Sequence, residues 1–255
     1  ALRYYLLGSQ VVQAEELRLS EKDIAQVASK VLGRLENVLS FYELYRDVSL
    51  EENTVSPSTH VLDQWIVARL NQVIEQVTTG MESYELDKAL RPLDLFVDDI
   101  STWYLRRSRD RIKDGDKEAK QTLYYVLKVT ARVLAPFTPF IAEEIWQKLK
   151  QKDDKESVHL TEWPKFSREI DISLLEDMQR TRNIVTLGLE ARQKANIKVR
   201  QPLGKILITA TPLNASYTEI LKDELNIKEV EFPSYFENDI SIGVKLDTNL
   251  TQELK

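Results

Sequence analysis

The sequence predicts a mostly α-helical protein, a helical bundle followed by a small α+β unit. Two observations predict the bundle: apolar residues recur at three-and-four spacing through most of the first 195 residues, and short connections separate the runs. A third predicts the α+β unit, because beyond residue 200 the chain turns to β-branched residues in alternation.

Within residues 20 to 46, Ile24, Val27, Val31, Leu35, Val38, Leu39 and Tyr42 make one apolar helical face, with Ser20 placed as its N-cap. The stretch RDVSLEENTVSPST that follows is rich in Ser, Thr, Asn and acid and reads as a loop ending at a capping Ser58 or Thr59. Leu62, Ile66, Leu70, Val73, Ile74, Val77 and Met81 then predict a second long helix, with Gly80 near its end. A third runs from about Ser83 to Lys113 and contains Pro92, which lacks an amide hydrogen and is expected to kink or split it. The fourth spans roughly 117 to 135 and stops at Pro136. FTPFIAEEIWQKL begins the fifth, with Thr138 as cap, Pro139 at the first helical position, and Glu143 and Glu144 near the positive end of the helix dipole.

A charged loop, KQKDDKESVHLTEWPKF, leads into an extended piece expected to hold His159 in a strand. Residues 171 to 195 resume the helical pattern through Leu175, Met178, Val185 and Leu189. After that KILITATP and ISIGVKLD read as strands, IKEVEF as a third, and YTEILKDEL as a short helix among them. The expected boundary between the helical part and the α+β unit is therefore near residue 200.

At 255 residues and 42% hydrophobic content the chain can bury a sizeable core. Its longest apolar runs, such as TLYYVLKV, fall far short of the roughly eighteen residues a membrane span requires. With no cysteine, disulfides, thiolate metal sites and cysteine nucleophiles are excluded together, and an intracellular protein is expected. The chain opens on ALRYYLLGSQ, without an initiator methionine or a secretory pattern, as expected of a segment from within a longer protein.

Little in the sequence points to catalysis. The seven glycines stand at 8, 33, 80, 115, 188, 204 and 243, too scattered for either common phosphate-cradling loop. The two histidines, His60 and His159, lack the i+4 partner of a helical zinc site, and structural roles are expected for both. Asp98 with Asp99, and Glu143 with Glu144, are neighbours that point different ways on a helix, so solvation or capping is expected of them.

The conspicuous feature is STWYLRRSRDRIK, residues 101 to 113, with five cations and one acid in a chain of net charge −6. At about 100° per residue, Leu93, Phe96, Val97, Ile100 and Tyr104 form an apolar stripe that Arg107 and Arg111 continue, while Arg106, Arg109 and Lys113 gather on another face. Cations suit a helix C-terminus, but the dipole accounts for one or two of them rather than five. Tyr104 is expected in the core, and Trp103, bordering the stripe, as a stacking residue. Arginine forks suit phosphate and neighbouring aromatics suit exposed bases, which points to nucleic acid. A second stretch, RQKANIKVRQPLGK at 192 to 205, carries Arg192, Lys194, Lys198, Arg200 and Lys205 with no acid. Together they suggest a local basic footprint on an acidic protein, because screening confines the relevant field to about 10 Å.

FVDDISTWYLRRSRDR, LAPFTPFIAEEIW, SVHLTEWP and IKVRQPL resemble successive segments of the isoleucyl-tRNA synthetase family, class I aminoacyl-tRNA synthetases. PFTPFIAEEIW alone fits several relatives, including those for valine and leucine; WYLRRSRDR with IKVRQPL narrows the resemblance to isoleucine, with valine next. The opening residues 1 to 19 resemble the end of the segment following the catalytic domain. The resemblance implies that residues 20 to 200 form an α-helical anticodon-binding domain and 201 to 255 a small α+β C-terminal unit.

It also implies isoleucine tRNA as partner, along with the remainder of a parent synthetase chain that would be cytoplasmic and monomeric. ATP and magnesium would serve that parent, and no cofactor or catalytic residue is expected in this stretch, which has neither a HIGH nor a KMSKS signature. The expected tRNA contacts are Trp103, Arg106, Arg107, Arg109, Arg111 and Lys113, with Lys194, Lys198 and Arg200 as a second set. A scaffold whose cations are satisfied internally is the competing expectation; the exposure and partners of Arg106, Arg109 and Lys113 separate the two.

Overall fold

The computed structural model describes residues 1–50, 58–165, 170–233 and 243–246. They fall into two compact units, Ala1–Ile170 and Asp171–Lys255. The division lies some thirty residues before the compositional change near 200. Its physical reason is that the long helix preceding that change packs on the helix and the last strand that follow it.

The first unit is helical. After α1 (Leu2–Leu7), α2 (Glu21–Val27) passes through a π turn at Ala28–Leu32 into α3 (Gly33–Tyr45). Ser20 caps α2 by accepting from the Asp23 N–H, and Leu35, Val38, Leu39 and Tyr42 form the buried face of α3. α4 (Val61–Glu82) starts one residue later than a Thr59 cap would place it and two later than a Ser58 cap. His60 is its N-cap, with Nδ1 accepting from the Leu62 N–H at 3.2 Å. Burial and the nearby Arg111 charge lower the His60 pKa against the pull of Asp63.

α5 (Leu86–Asp98) lies close along α4, because a Cβ on Gly80 would meet the Ala89 backbone at 2.9 Å. α5 continues through Pro92; the helical run departs from α geometry only at a π segment, Asp99–Leu105, and then resumes as α6 (Arg106–Lys113). Asp99 is not solvated as expected but buried, accepting from Arg69 Nε at 2.9 Å, and Asp98 pairs with Arg34 at 2.6 Å.

α7 (Lys117–Leu134), capped by Asp116, is the most enclosed helix of the unit, and α8 (Pro139–Leu149) packs against it. Thr138 holds the N-cap position of α8, but its hydroxyl bonds to Leu134 O behind it rather than to the first turn. Glu143 turns to the following loop, accepting from Ser157 Oγ and Val158 N. His159 sits there in a 3-10 turn, Val158–Leu160, instead of the expected strand.

The second unit begins with α9 (Ile172–Lys194), capped by Asp171, and continues as β1 (Leu203–Thr209), α10 (Ala215–Leu225), β2 (Ile227–Glu231) and β3 (Gly243–Leu246). Sheet order is β2-β1-β3, with β2 parallel and β3 antiparallel to β1. The parallel pair needs the α10 crossover between its strands. Gly188 lets α9 approach α10, since a Cβ there would stand 2.6 Å from Leu225 Cδ1. Residues 240 to 242 and 247 of the expected ISIGVKLD strand lie outside the described residues.

Candidate nucleic-acid interface

The π segment and α6 present the expected first contact set. Tyr104, Leu105, Ser108 and Ile112 are buried, so the apolar stripe runs down the whole length of α6 and divides the cations. Arg106, Arg109 and Lys113 are exposed, as their shared face implies. Arg107 and Arg111 flank the stripe and are half-buried.

Arg111 is engaged inside the protein. Its guanidinium donates to both oxygens of Asp63, at 3.2 and 2.9 Å, while Nε donates to Asp116 at 2.8 Å. The Asp63 side chain is 1% exposed and accepts further bonds from Tyr104 Oη at 2.9 Å and Ser58 Oγ at 2.8 Å. Burial opposes the Arg111 charge, but the two carboxylates outweigh it and hold its pKa above the ordinary value. Burial, with Asp63 beside it, raises the Tyr104 pKa far above that of a free phenol. Tyr104 is therefore a core residue, as expected, and Arg111 belongs to an internal lattice rather than to the open face.

The outward cations lie at the surface. Arg106 Nε donates to Thr102 O at 2.7 Å and its guanidinium stands 5.8 Å from the ring centroid of the half-buried Trp103. Lys113 lies 3.7 Å from Asp110, whose carboxylate is 90% exposed, an arrangement that contributes little. Arg109 has no carboxylate partner among the described residues; its guanidinium lies over Phe41 at 5.1 Å. Phe41 in turn tilts against Tyr45, with centroids 4.9 Å apart. These two α3 aromatics join the basic face although the sequence reading did not single them out. The available signal was their i,i+4 spacing, which forms a second row beside the Val38, Leu39 and Tyr42 face.

The second set lies in the other unit. Lys194 ends α9, and Lys198 and Arg200 follow in the turn to β1; all three are exposed and have no ion-pair partner among the described residues. Lys205 differs, pairing with Glu231 at 2.6 Å and Glu229 at 3.7 Å. Arg192 differs again: it is 1% exposed and donates to backbone carbonyls.

Residues 63–208 match the family described as the anticodon-binding domain of tRNA ligase. The chain is 39% identical over 245 residues to isoleucine–tRNA ligase of Chlamydia pneumoniae, a match covering 91% of this chain and 24% of that protein. It is 41% identical over 241 residues to the ligase of the same name from Clostridium novyi, covering 89% and 23%. The chain thus spans about a quarter of the length of these relatives.

Proposed function

Because the chain belongs to the anticodon-binding domain family of tRNA ligases, we propose that it binds the anticodon stem and loop of isoleucine tRNA as part of an isoleucine–tRNA ligase. The observation that carries this reading is the exposed basic face of α6, in which Arg109 rests on an aromatic ring instead of a carboxylate. Cations so placed supply salt-sensitive phosphate affinity, and Trp103 offers a stacking surface for an unpaired base. Arg106, Arg109 and Lys113 form the first contact set and Lys194, Lys198 and Arg200 the second. Arg107 stands at the margin of the first, and Arg111 supports it from within.

Names of relatives at about 40% identity favour isoleucine over valine. Joining isoleucine to tRNA, with ATP and magnesium, would fall to the rest of such a ligase, which would act as a cytoplasmic monomer. Among the described residues no helix is long and apolar enough to cross a membrane. A bracing role is favoured for one cation, Arg111, by its bonds to Asp63 and Asp116.

The test replaces Arg106 and Arg109 together with alanine and follows isoleucine tRNA binding against salt. The expected result is weaker binding, with a logarithmic slope shallower by about 0.7 to 0.9 for each phosphate that is no longer neutralised. An unchanged slope would remove α6 from the interface.

A further inference from the structure

The turn from α9 to β1 carries three exposed cations yet has almost nothing apolar to anchor it. Of residues 194 to 201, six are exposed and only Ile197 and Gln201 are half-buried. Hydrogen bonds hold its shape instead. α9 ends with Asn196 in the left-handed region at φ 55, its N–H bonded to Gln193 O and that of Ile197 to Arg192 O, a Schellman closure.

Beyond that closure, the carbonyls of the turn point to two side chains. Arg192 Nη1 donates to Lys198 O and Gln201 O, both at 3.0 Å. Its Nη2 donates to Leu225 O at 2.6 Å and Asn226 O at 3.1 Å, tying the turn to the end of α10. Asn226 Nδ2 donates to the intervening carbonyl, Val199 O, at 2.9 Å. A guanidinium 1% exposed and surrounded by carbonyls, with no carboxylate partner among the described residues, is an expensive way to close a surface turn. No acid occurs between Glu190 and Glu219, so Lys198 and Arg200 are not neutralised by their own segment.

We propose that Arg192 and Asn226 are positioning residues that fix the backbone under Lys198 and Arg200 for contact with RNA phosphates. The inference rests on the tRNA-binding reading above. Holding this backbone before binding removes part of the ordering cost that a flexible basic turn would meet in the complex.

The experiment uses the 255-residue chain and an isoleucine tRNA transcript, with binding measured across salt concentrations. Asn226→Gly is the principal variant, because glycine accepts the φ of 48 without strain and only the bond to Val199 is removed. It is expected to weaken binding about twofold to tenfold and to speed amide exchange at Gln201, whose N–H bonds to Lys198 O, in the absence of RNA. In a chain already carrying Lys198→Ala and Arg200→Ala, the same substitution is expected to have no further effect on binding. Arg192→Lys, keeping the charge but not the fork, is expected to follow the same pattern with a larger loss.

Equal effects in both backgrounds, or unchanged amide exchange, would overturn the positioning role while leaving the tRNA-binding reading intact. An intact chain with no salt-dependent binding would instead overturn that reading, and the inference with it.

Discussion

Replacing Arg111 with methionine separates internal from external cations most sharply. The substitution keeps most of the side-chain volume and removes the fork that grips Asp63 and Asp116. Breaking a buried pair by deleting one partner costs about 3–5 kcal/mol, chiefly because the other charge is left in a poor environment. Here the stranded group is Asp63, 1% exposed, but it keeps hydroxyl donors from Tyr104 and Ser58. Asp116 is more open, at 31% exposed, and retains the Ala119 N–H. Both features place the cost at the low end, about 3 kcal/mol. For a unit of this size that corresponds to a fall in Tm of about 6–12 °C. Urea unfolding with an unchanged slope gives the free energy directly. The salt dependence of tRNA binding, measured where the variant is folded, should stay that of the parent chain. A loss below about 1 kcal/mol, or a flattened salt slope, would refute the assignment of Arg111 to the interior.

Three further outcomes are expected. Gly80→Ala should destabilise by about 1–3 kcal/mol because the new Cβ meets the Ala89 backbone at 2.9 Å, and thermal melting checks this. Gly33→Ala, whose Cβ would meet only Ala28 O at 3.4 Å, should instead stabilise by up to about 1 kcal/mol in the same assay. The Leu174 N–H and Ser173 bonds hold the Asp171 carboxyl below the ordinary carboxylate range. The stability it contributes is therefore present above its unfolded value and lost as pH falls through the lower folded one. Asp171→Asn retains a capping oxygen and should flatten that acid limb of the second unit's urea midpoint while leaving the midpoint near pH 7 almost unchanged.

The helices were legible because each buries one stripe. Val73, Ile74 and Val77 on α4, and Phe96, Val97 and Ile100 before α6, lie in the core where their spacing put them. Positions decided by one side chain's choice among several partners were not legible. Thr138 has the right residue type and place for a cap, yet its hydroxyl reaches back to Leu134; His60, less favoured as a cap, supplies the oxygen's role with Nδ1. Spacing placed Arg111 at the edge of the stripe but could not reveal Asp63, 48 residues away, as its partner. Composition set the boundary near 200 because strands begin there, whereas packing assigns α9 to the unit formed by those strands. Arg192 read as one more surface cation, since nothing local announces that its fork serves four carbonyls.

The central claim is tested most directly by binding this chain to isoleucine tRNA and to the same tRNA with a changed anticodon, each at low and moderate salt. Tighter binding to the native anticodon at both salts, with both affinities falling as salt rises, is the predicted result. Equal affinity for the two RNAs, or no binding to either, would contradict recognition of the anticodon by this chain.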